Sequence, residues 1–268
     1  MLVASVVLGL AHYAIGNQLS GHAYFELLFW APGHIWQFAL TCLMAVCWLD
    51  LTAAESSARR IHPVPLLMTI TIPVFIALVV AVVLQPTDPG YLNAYTSLMR
   101  WTSWLMPALL IWMIFPLLCR PGLAPGIRLS MALFVIGLLI GSAIDSETTL
   151  ITAHYHGTIG AVTLAFMAFT LARLQRFGAE PVPRRCSQIQ IGLYGYGILL
   201  MMAGLAGAGL MGAPRKTPGT LDALWNVETV SRIFLGAGGV LATAGIIYFA
   251  VLVIPRLIPS TSITVLSR

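Results

Sequence analysis

Long apolar segments dominate this sequence, and they restrict its possible folds more than any other feature. A helix needs about 20 apolar residues to cross the roughly 30 Å of hydrocarbon in a bilayer. Such segments occur at residues 2–19, 24–51, 64–85, 96–119, 126–144, 151–174, 190–212 and 231–255. The sequence therefore predicts a polytopic transmembrane helix bundle of about eight helices.

The composition supports the same fold class. The chain is 59% hydrophobic and only 9% charged, and its mean hydropathy is +0.90, so it cannot present an ordinary water-facing surface. No segment alternates in the manner of a membrane barrel strand. We therefore expect an all-α protein with a single transmembrane domain over residues 1–268. The first segment lacks a charged leader and a cleavage site, which predicts a permanent span.

The positive charges mark one side of the membrane. Alternate loops carry Arg59, Arg60, Arg120, Arg128, Arg173, Arg176, Arg184 and Arg185. The positive-inside rule then places both termini in the cytoplasm, and we expect the inner membrane of a bacterium. The net charge of +5 reflects these loops and does not indicate nucleic-acid binding. Arg215 and Lys216 are the exception, because they fall in a loop that the rule assigns to the outer side.

Proline and glycine predict local features of two helices. Pro107 and Pro116 lie within the fourth segment and should bend it, as membrane bundles tolerate. Gly204, Gly207, Gly209 and Gly212 give the seventh segment a face of small residues. That face predicts either close helix packing or room for a flat macrocycle beside the backbone.

A pair of histidines is the most specific local feature. Residues 152–157 read Thr-Ala-His-Tyr-His-Gly, and two residues apart on a helix His154 and His156 point about 200° apart. A histidine inside a membrane is costly without a partner. The pair therefore suggests a helix between two metal centres, most plausibly haems held by axial imidazoles. The alternative is two polar contacts to neighbouring helices or to a wet cavity.

The second segment contains a further intramembrane histidine. Residues 29–38 read Phe-Trp-Ala-Pro-Gly-His-Ile-Trp-Gln-Phe, and the predicted topology places His34 in the outer half of that helix. The predicted topology puts it at roughly the depth of His154 and His156. Three histidines at one depth predict a shared site, although a lone intramembrane histidine is also common as a hydrogen-bonded structural residue.

Three motifs resemble subunit I of the haem-copper oxidase and nitric oxide reductase superfamily. Residues 153–157, Ala-His-Tyr-His-Gly, resemble its tenth-helix Ala-His-Phe-His signature. Residues 29–34, Phe-Trp-Ala-Pro-Gly-His, resemble its sixth-helix Phe-Trp-Phe-Gly-His-Pro motif. Residues 210–216, Leu-Met-Gly-Ala-Pro-Arg-Lys, resemble its Gly-Met-Pro-Arg-Arg loop. The motifs occur in the family's order, so the eight segments resemble its fifth to twelfth helices, the C-terminal two-thirds of cytochrome c oxidase subunit I.

The resemblance implies a role for each matching residue. His154 would be the proximal ligand of a high-spin haem, and His156 would be one axial ligand of a low-spin haem. His34 would bind a non-haem metal that faces the high-spin iron. Arg215 and Lys216 would hold haem propionates, which explains a basic pair on the outer side; a lipid-headgroup anchor is the alternative.

Departures from the family pattern also carry information. The family's adjacent copper-binding histidines are absent from the end of the third segment, where this chain has Leu84 and Gln85. Phe38 stands where oxidases have a redox-active tyrosine. A copper or iron centre at His34 is therefore poorly supported, because one imidazole makes a weak copper site.

The family's first four helices, which supply the second axial histidine of the low-spin haem, are also absent. We expect a partner polypeptide to supply them; a truncated or split product, or another ligand for His156, is the alternative.

The resemblance implies a respiratory oxidoreductase. Electrons from a cytochrome c or a quinol would pass the low-spin haem and reach a high-spin haem that binds O₂ or NO. Two further hypotheses stay open: a non-catalytic haem-binding or assembly subunit, and a haem-free membrane transporter.

Overall fold

The chain is helical throughout the residues that the computed structural model describes, which are 1–53, 63–118, 125–215 and 227–258. The helices are α1 (Leu2–Ile15), α2 (Gly21–Ala53), α3 (Pro63–Val83), α4 (Pro89–Thr102), α5 (Leu105–Leu118), α6 (Pro125–Ser142), α7 (Thr149–Arg173), α8 (Arg184–Leu210) and α9 (Val227–Leu257). In these ranges the only β-type pairing is an isolated antiparallel bridge between Thr148 and Pro214. The predicted all-α class is confirmed.

Seven of the described helical segments are long and apolar enough to cross a membrane, so the chain is an integral membrane protein. The predicted first span, residues 2–19, is shorter than expected. α1 has 14 residues, which corresponds to about 21 Å at 1.5 Å per residue. It ends at Ile15 because Gly16 leaves the helical conformation with φ 50°.

The fourth predicted span also differs from expectation. The helix starts at Pro89 rather than at residue 96, and it is interrupted after Thr102 before α5 begins at Leu105. Proline at the first helical position is favourable because its missing N–H has no helical partner there. Pro107 explains the interruption, because it lacks the N–H that would bond to the carbonyl of Ser103. The predicted bend is therefore a break at residues 103–104.

By their packing, the helices form two compact units. The first unit contains α1 to α5 together with residues 141–143. Its core includes Ala31 and Ile35 of α2, Ala77 of α3, and Tyr91 and Tyr95 of α4. The Tyr95 hydroxyl donates a 2.7 Å hydrogen bond to the carbonyl of Ala77, which sets the register of α4 against α3.

The second unit contains α6 to α9, and glycines permit its helices to approach closely. A Cβ atom added to Gly197 of α8 would lie 2.5 Å from the amide nitrogen of Ala242 on α9. Gly204 similarly faces the backbone of Ser231 on α9, and Gly209 faces Leu150 on α7. The small-residue face of α8 therefore serves helix packing at these two positions. The expectation of one transmembrane domain stays a prediction.

Candidate functional site

The site is organised around the start of α7. Thr148 caps this helix, and its hydroxyl oxygen accepts a 3.4 Å hydrogen bond from the amide of Leu150. Such caps satisfy one of the free N–H groups in the first turn. Thr149 then donates a 2.8 Å hydrogen bond to the carbonyl of Leu205. These contacts fix the start of α7 against α8 and so fix the register of both histidines.

His154 faces α6. Its Nδ1 lies 2.8 Å from the carbonyl oxygen of Gly137. The backbones of the two helices approach closely there, because a Cβ on Gly157 would lie 2.7 Å from the Cα of Gly137. The absence of side chains at this crossing exposes the Gly137 carbonyl to the imidazole.

His156 projects about 200° away from His154 around the helix. Its Nδ1 lies 2.8 Å from the carbonyl oxygen of Thr152, one turn earlier. This half-buried side chain borders the exposed side of α7, where Tyr155 and Ile159 are 38% and 51% exposed. The two histidines therefore do not share one site within the second unit.

The hydrogen bonds determine which imidazole nitrogen can bind a ligand. A carbonyl oxygen only accepts, so Nδ1 of both His154 and His156 must carry the proton. Among the described residues, these are the only hydrogen bonds of the two rings, and each Nε2 keeps a lone pair. Metal-binding histidines usually show this arrangement, since the second nitrogen fixes tautomer and orientation. Both rings therefore have the tautomer that a histidine metal ligand requires.

The loop after α8 reaches the segment before α7. The Nε of Arg215 lies 2.7 Å from the Oε2 of Glu147, and the Arg215 amide donates a 3.3 Å hydrogen bond to the Glu147 carbonyl. The side chains are 25% and 74% exposed, respectively. Among the described residues this ion pair occupies only the Nε of Arg215, so its terminal nitrogens could donate to an anion. Lys216, the other predicted propionate ligand, lies outside the described residues.

His34 lies on α2 in the first unit and is half-buried. Its Nδ1 contacts the carbonyl oxygen of Trp30 at 2.5 Å, and the two rings are 5.1 Å apart. Phe38, one turn later, is buried. Glu26, a carboxylate about two turns before His34 on the same helix, lies 3.6 Å from His22 and is therefore not directed at His34. In the described part of the chain no three His, Cys, Asp or Glu side chains converge as a metal site.

Sequence reasoning missed two contacts of this site. The hydrogen bond between His154 and the Gly137 carbonyl could not be predicted, because every residue has a backbone carbonyl and the sequence does not show which one the imidazole meets. The ion pair between Glu147 and Arg215 was not predicted either, because it depends on how two distant loops meet. The sequence signal that could have indicated this ion pair is the presence of opposite charges in two outer loops.

No family model matches this chain. It is 23% identical to an uncharacterised protein of Rickettsia prowazekii over 278 aligned positions, which cover 84% of this chain and 53% of the relative. It is 29% identical to an uncharacterised protein of Aquifex aeolicus over 163 positions, covering 59% of this chain and 40% of that protein. The chain thus matches about half, or less, of the length of these curated relatives.

Proposed function

We propose that this chain is a haem-binding membrane subunit of a respiratory terminal oxidase or of a nitric oxide reductase-like complex. The observation that carries the proposal is the pair His154 and His156, whose Nδ1 atoms are both held by carbonyls. The resemblance to haem-copper oxidase subunit I supports it. The relatives in two bacteria support a location in a bacterial inner membrane, for which we expect cytoplasmic termini.

The chain's own residues would bind and orient the cofactors. His154 would hold the high-spin haem through Nε2, while the Gly137 carbonyl keeps the imidazole in position and increases its basicity. His156 would hold the low-spin haem on the exposed side of α7. Arg215 and Lys216 would donate charge-assisted hydrogen bonds to propionates. Bound haem would supply the redox chemistry and an open coordination position for O₂ or NO.

Electron donors and partner subunits are part of the same proposal. A cytochrome c or a quinol would be the electron donor, and His154 and His156 would hold the two haems on opposite sides of α7. A copper or iron centre at His34 stays poorly supported, because Glu26 pairs with His22 and one imidazole is a weak copper ligand set.

An absorption spectrum of the purified protein tests this proposal. We expect a Soret band that shifts on reduction with dithionite and shifts again when CO binds. If the folded protein contains no haem, either in the membranes in which it is expressed or after purification, the proposal is contradicted. That result would favour the haem-free transporter.

A non-catalytic haem-binding or assembly subunit is the second candidate. The buried Phe38 favours it, because the phenyl ring has no proton or redox-active hydroxyl to contribute. Turnover separates the two candidates. The oxidase or reductase should consume O₂ or NO with a reduced donor, whereas the non-catalytic subunit should bind CO without turnover.

A further inference from the structure

A buried glutamine connects three helices of the second unit. Gln190 lies on α8, about 9 Å beyond the start of that helix at Arg184, and its side chain is fully buried. Its Nε2 donates two hydrogen bonds of 3.2 Å, one to the Sδ of Met167 on α7 and one to the carbonyl oxygen of Gly245 on α9. Both N–H groups of the side-chain amide are therefore in use.

The amide oxygen of Gln190 has no donor among the described residues, although an amide oxygen offers two lone pairs. The opposite orientation of the amide would place this oxygen against a sulfur and a carbonyl oxygen. Both of these atoms are acceptors, so the hydrogen bonds determine the orientation. A buried acceptor without a donor is rare in proteins, and internal water commonly supplies the missing hydrogen bond.

A second buried polar contact lies one helical turn away. The side chains of Tyr194 on α8 and Thr163 on α7 are hydrogen-bonded. Thr163 donates its own hydroxyl proton to the carbonyl of Ile159 at 3.0 Å, so Tyr194 is the donor to Thr163. The phenol oxygen of Tyr194 therefore keeps lone pairs with which it can accept from another donor.

The two contacts are spaced for one bridging water molecule. Tyr194 follows Gln190 by four residues on α8, and Thr163 precedes Met167 by four residues on α7. Along both helices the contacts are thus about 6 Å apart. A water molecule that donates to two oxygens joins acceptors about 5.5 Å apart at ordinary O–H···O lengths, and two polar partners are enough to hold an internal water.

We propose that the second unit binds an internal water molecule between α7 and α8. The water donates one hydrogen to the Oε1 of Gln190 and the other to the phenol oxygen of Tyr194. It thereby joins two separate polar contacts into one hydrogen-bonded chain that runs from the carbonyl of Gly245 to the carbonyl of Ile159. This site does not depend on haem binding.

Pulsed X-ray radiolysis of the purified protein tests the proposal. Irradiation converts water, including internal water, into hydroxyl radicals that oxidise the side chains next to it, and mass spectrometry measures the oxidised fraction. Met167 contacts the same amide that would hold the water. Its matched control is Met131 of α6 in the same unit, since the two residues are 7% and 4% exposed. We expect Met167 to be oxidised several-fold faster than Met131.

Substitution of either proposed partner completes the test. Gln190→Leu and Tyr194→Phe should each lower the oxidation of Met167 to the level of Met131, because the water loses one of its two acceptors. Tyr95→Phe is the control variant. Its hydroxyl belongs to the first unit, so its loss should leave the oxidation of Met167 unchanged.

Two results would overturn the proposal. One is equal oxidation of Met167 and Met131 in the wild-type protein, which needs no variant and so does not depend on how the variants fold. The other is wild-type oxidation of Met167 in Gln190→Leu or in Tyr194→Phe, because the water would then not bridge these two residues.

Discussion

The proposed haem binding depends mainly on the ring nitrogens of two histidines. In both His154 and His156, Nδ1 donates a hydrogen bond to a backbone carbonyl, so Nε2 is left to bind a ligand. The two residues differ in the carbonyl that they use. The carbonyl that accepts from His154 belongs to Gly137 on the neighbouring helix α6. The carbonyl that accepts from His156 belongs to Thr152 on the same helix, α7. The orientation of His154 therefore depends on tertiary packing, and that of His156 depends on α7 alone.

We predict that His154→Ala abolishes the CO-induced spectral change, because the high-spin haem loses its protein ligand. The measurement is a reduced-plus-CO minus reduced difference spectrum of the purified protein. His12→Ala is the control, since His12 is exposed and bonds only to Tyr24 among the described residues. Wild-type CO binding by His154→Ala would refute the ligand assignment.

A second prediction concerns the outer ion pair. Exposed ion pairs contribute about 0–1 kcal/mol to stability, so Glu147→Gln should change the midpoint of thermal unfolding little. Arg215→Gln should instead reduce haem retention during purification several-fold, because a propionate loses a charged donor. The haem-to-protein absorbance ratio measures this effect. Equal haem loss in both variants would show that the pair matters as a unit and that Arg215 has no separate role toward a propionate.

At the scale of elements, the features that follow from helical periodicity were predictable from the sequence, whereas the exact ends of the helices were not. The helix of residues 151–174 and the opposed directions of its histidines follow from 3.6 residues per turn, and α7 has both. The break before α5 follows from Pro107. The early end of α1 at Gly16 and the start of α4 at Pro89 were not predicted, because hydropathy locates apolar segments but does not locate helix ends.

The crossing of α6 and α7 yields a prediction at this scale. Gly157→Ala would place a Cβ 2.7 Å from the Gly137 Cα and 3.1 Å from the Leu133 carbonyl oxygen, so α6 must shift. Overpacking of this kind costs about 1–3 kcal/mol. We expect a lower midpoint of thermal unfolding in detergent and a weaker CO signal from the displaced His154.

Gly236→Ala of α9 is the matched control for that substitution. An added Cβ meets nothing within 4 Å there, and alanine in place of glycine stabilises a helix by up to about 1 kcal/mol. This variant should unfold at or above the wild-type temperature. If both variants unfold at the wild-type temperature, the two helices do not cross as closely as described.

For the whole molecule, the exposed side of α7 suggests a larger assembly. His156 lies at the border of that side, and among the described residues its ring bonds only to Thr152. A low-spin haem needs a second strong axial ligand. We propose that a helix beyond the described residues supplies this ligand for a haem at His156; the sequence suggests the need for such a helix but does not identify it.

We therefore predict that the chain expressed by itself lacks a six-coordinate bis-histidine signal. The signal should appear when a partner that carries a further histidine-bearing transmembrane helix is co-expressed, and it should disappear again in His156→Ala. Electron paramagnetic resonance of the oxidised protein measures it. A full low-spin signal from the isolated chain would show that both axial ligands lie within these 268 residues.

The α3–α4 hairpin also bears on biogenesis. α3 is the most apolar of the candidate spans and partitions readily into lipid, whereas the span Pro89–Phe115, which begins with α4, is less apolar. Because it also contains Arg100, it enters the bilayer poorly without help. The short turn and the Tyr95–Ala77 hydrogen bond give α4 a partner at once. We therefore expect the translocon to release α3 and α4 as one unit, so that the strongly apolar helix draws the weakly apolar one into the bilayer.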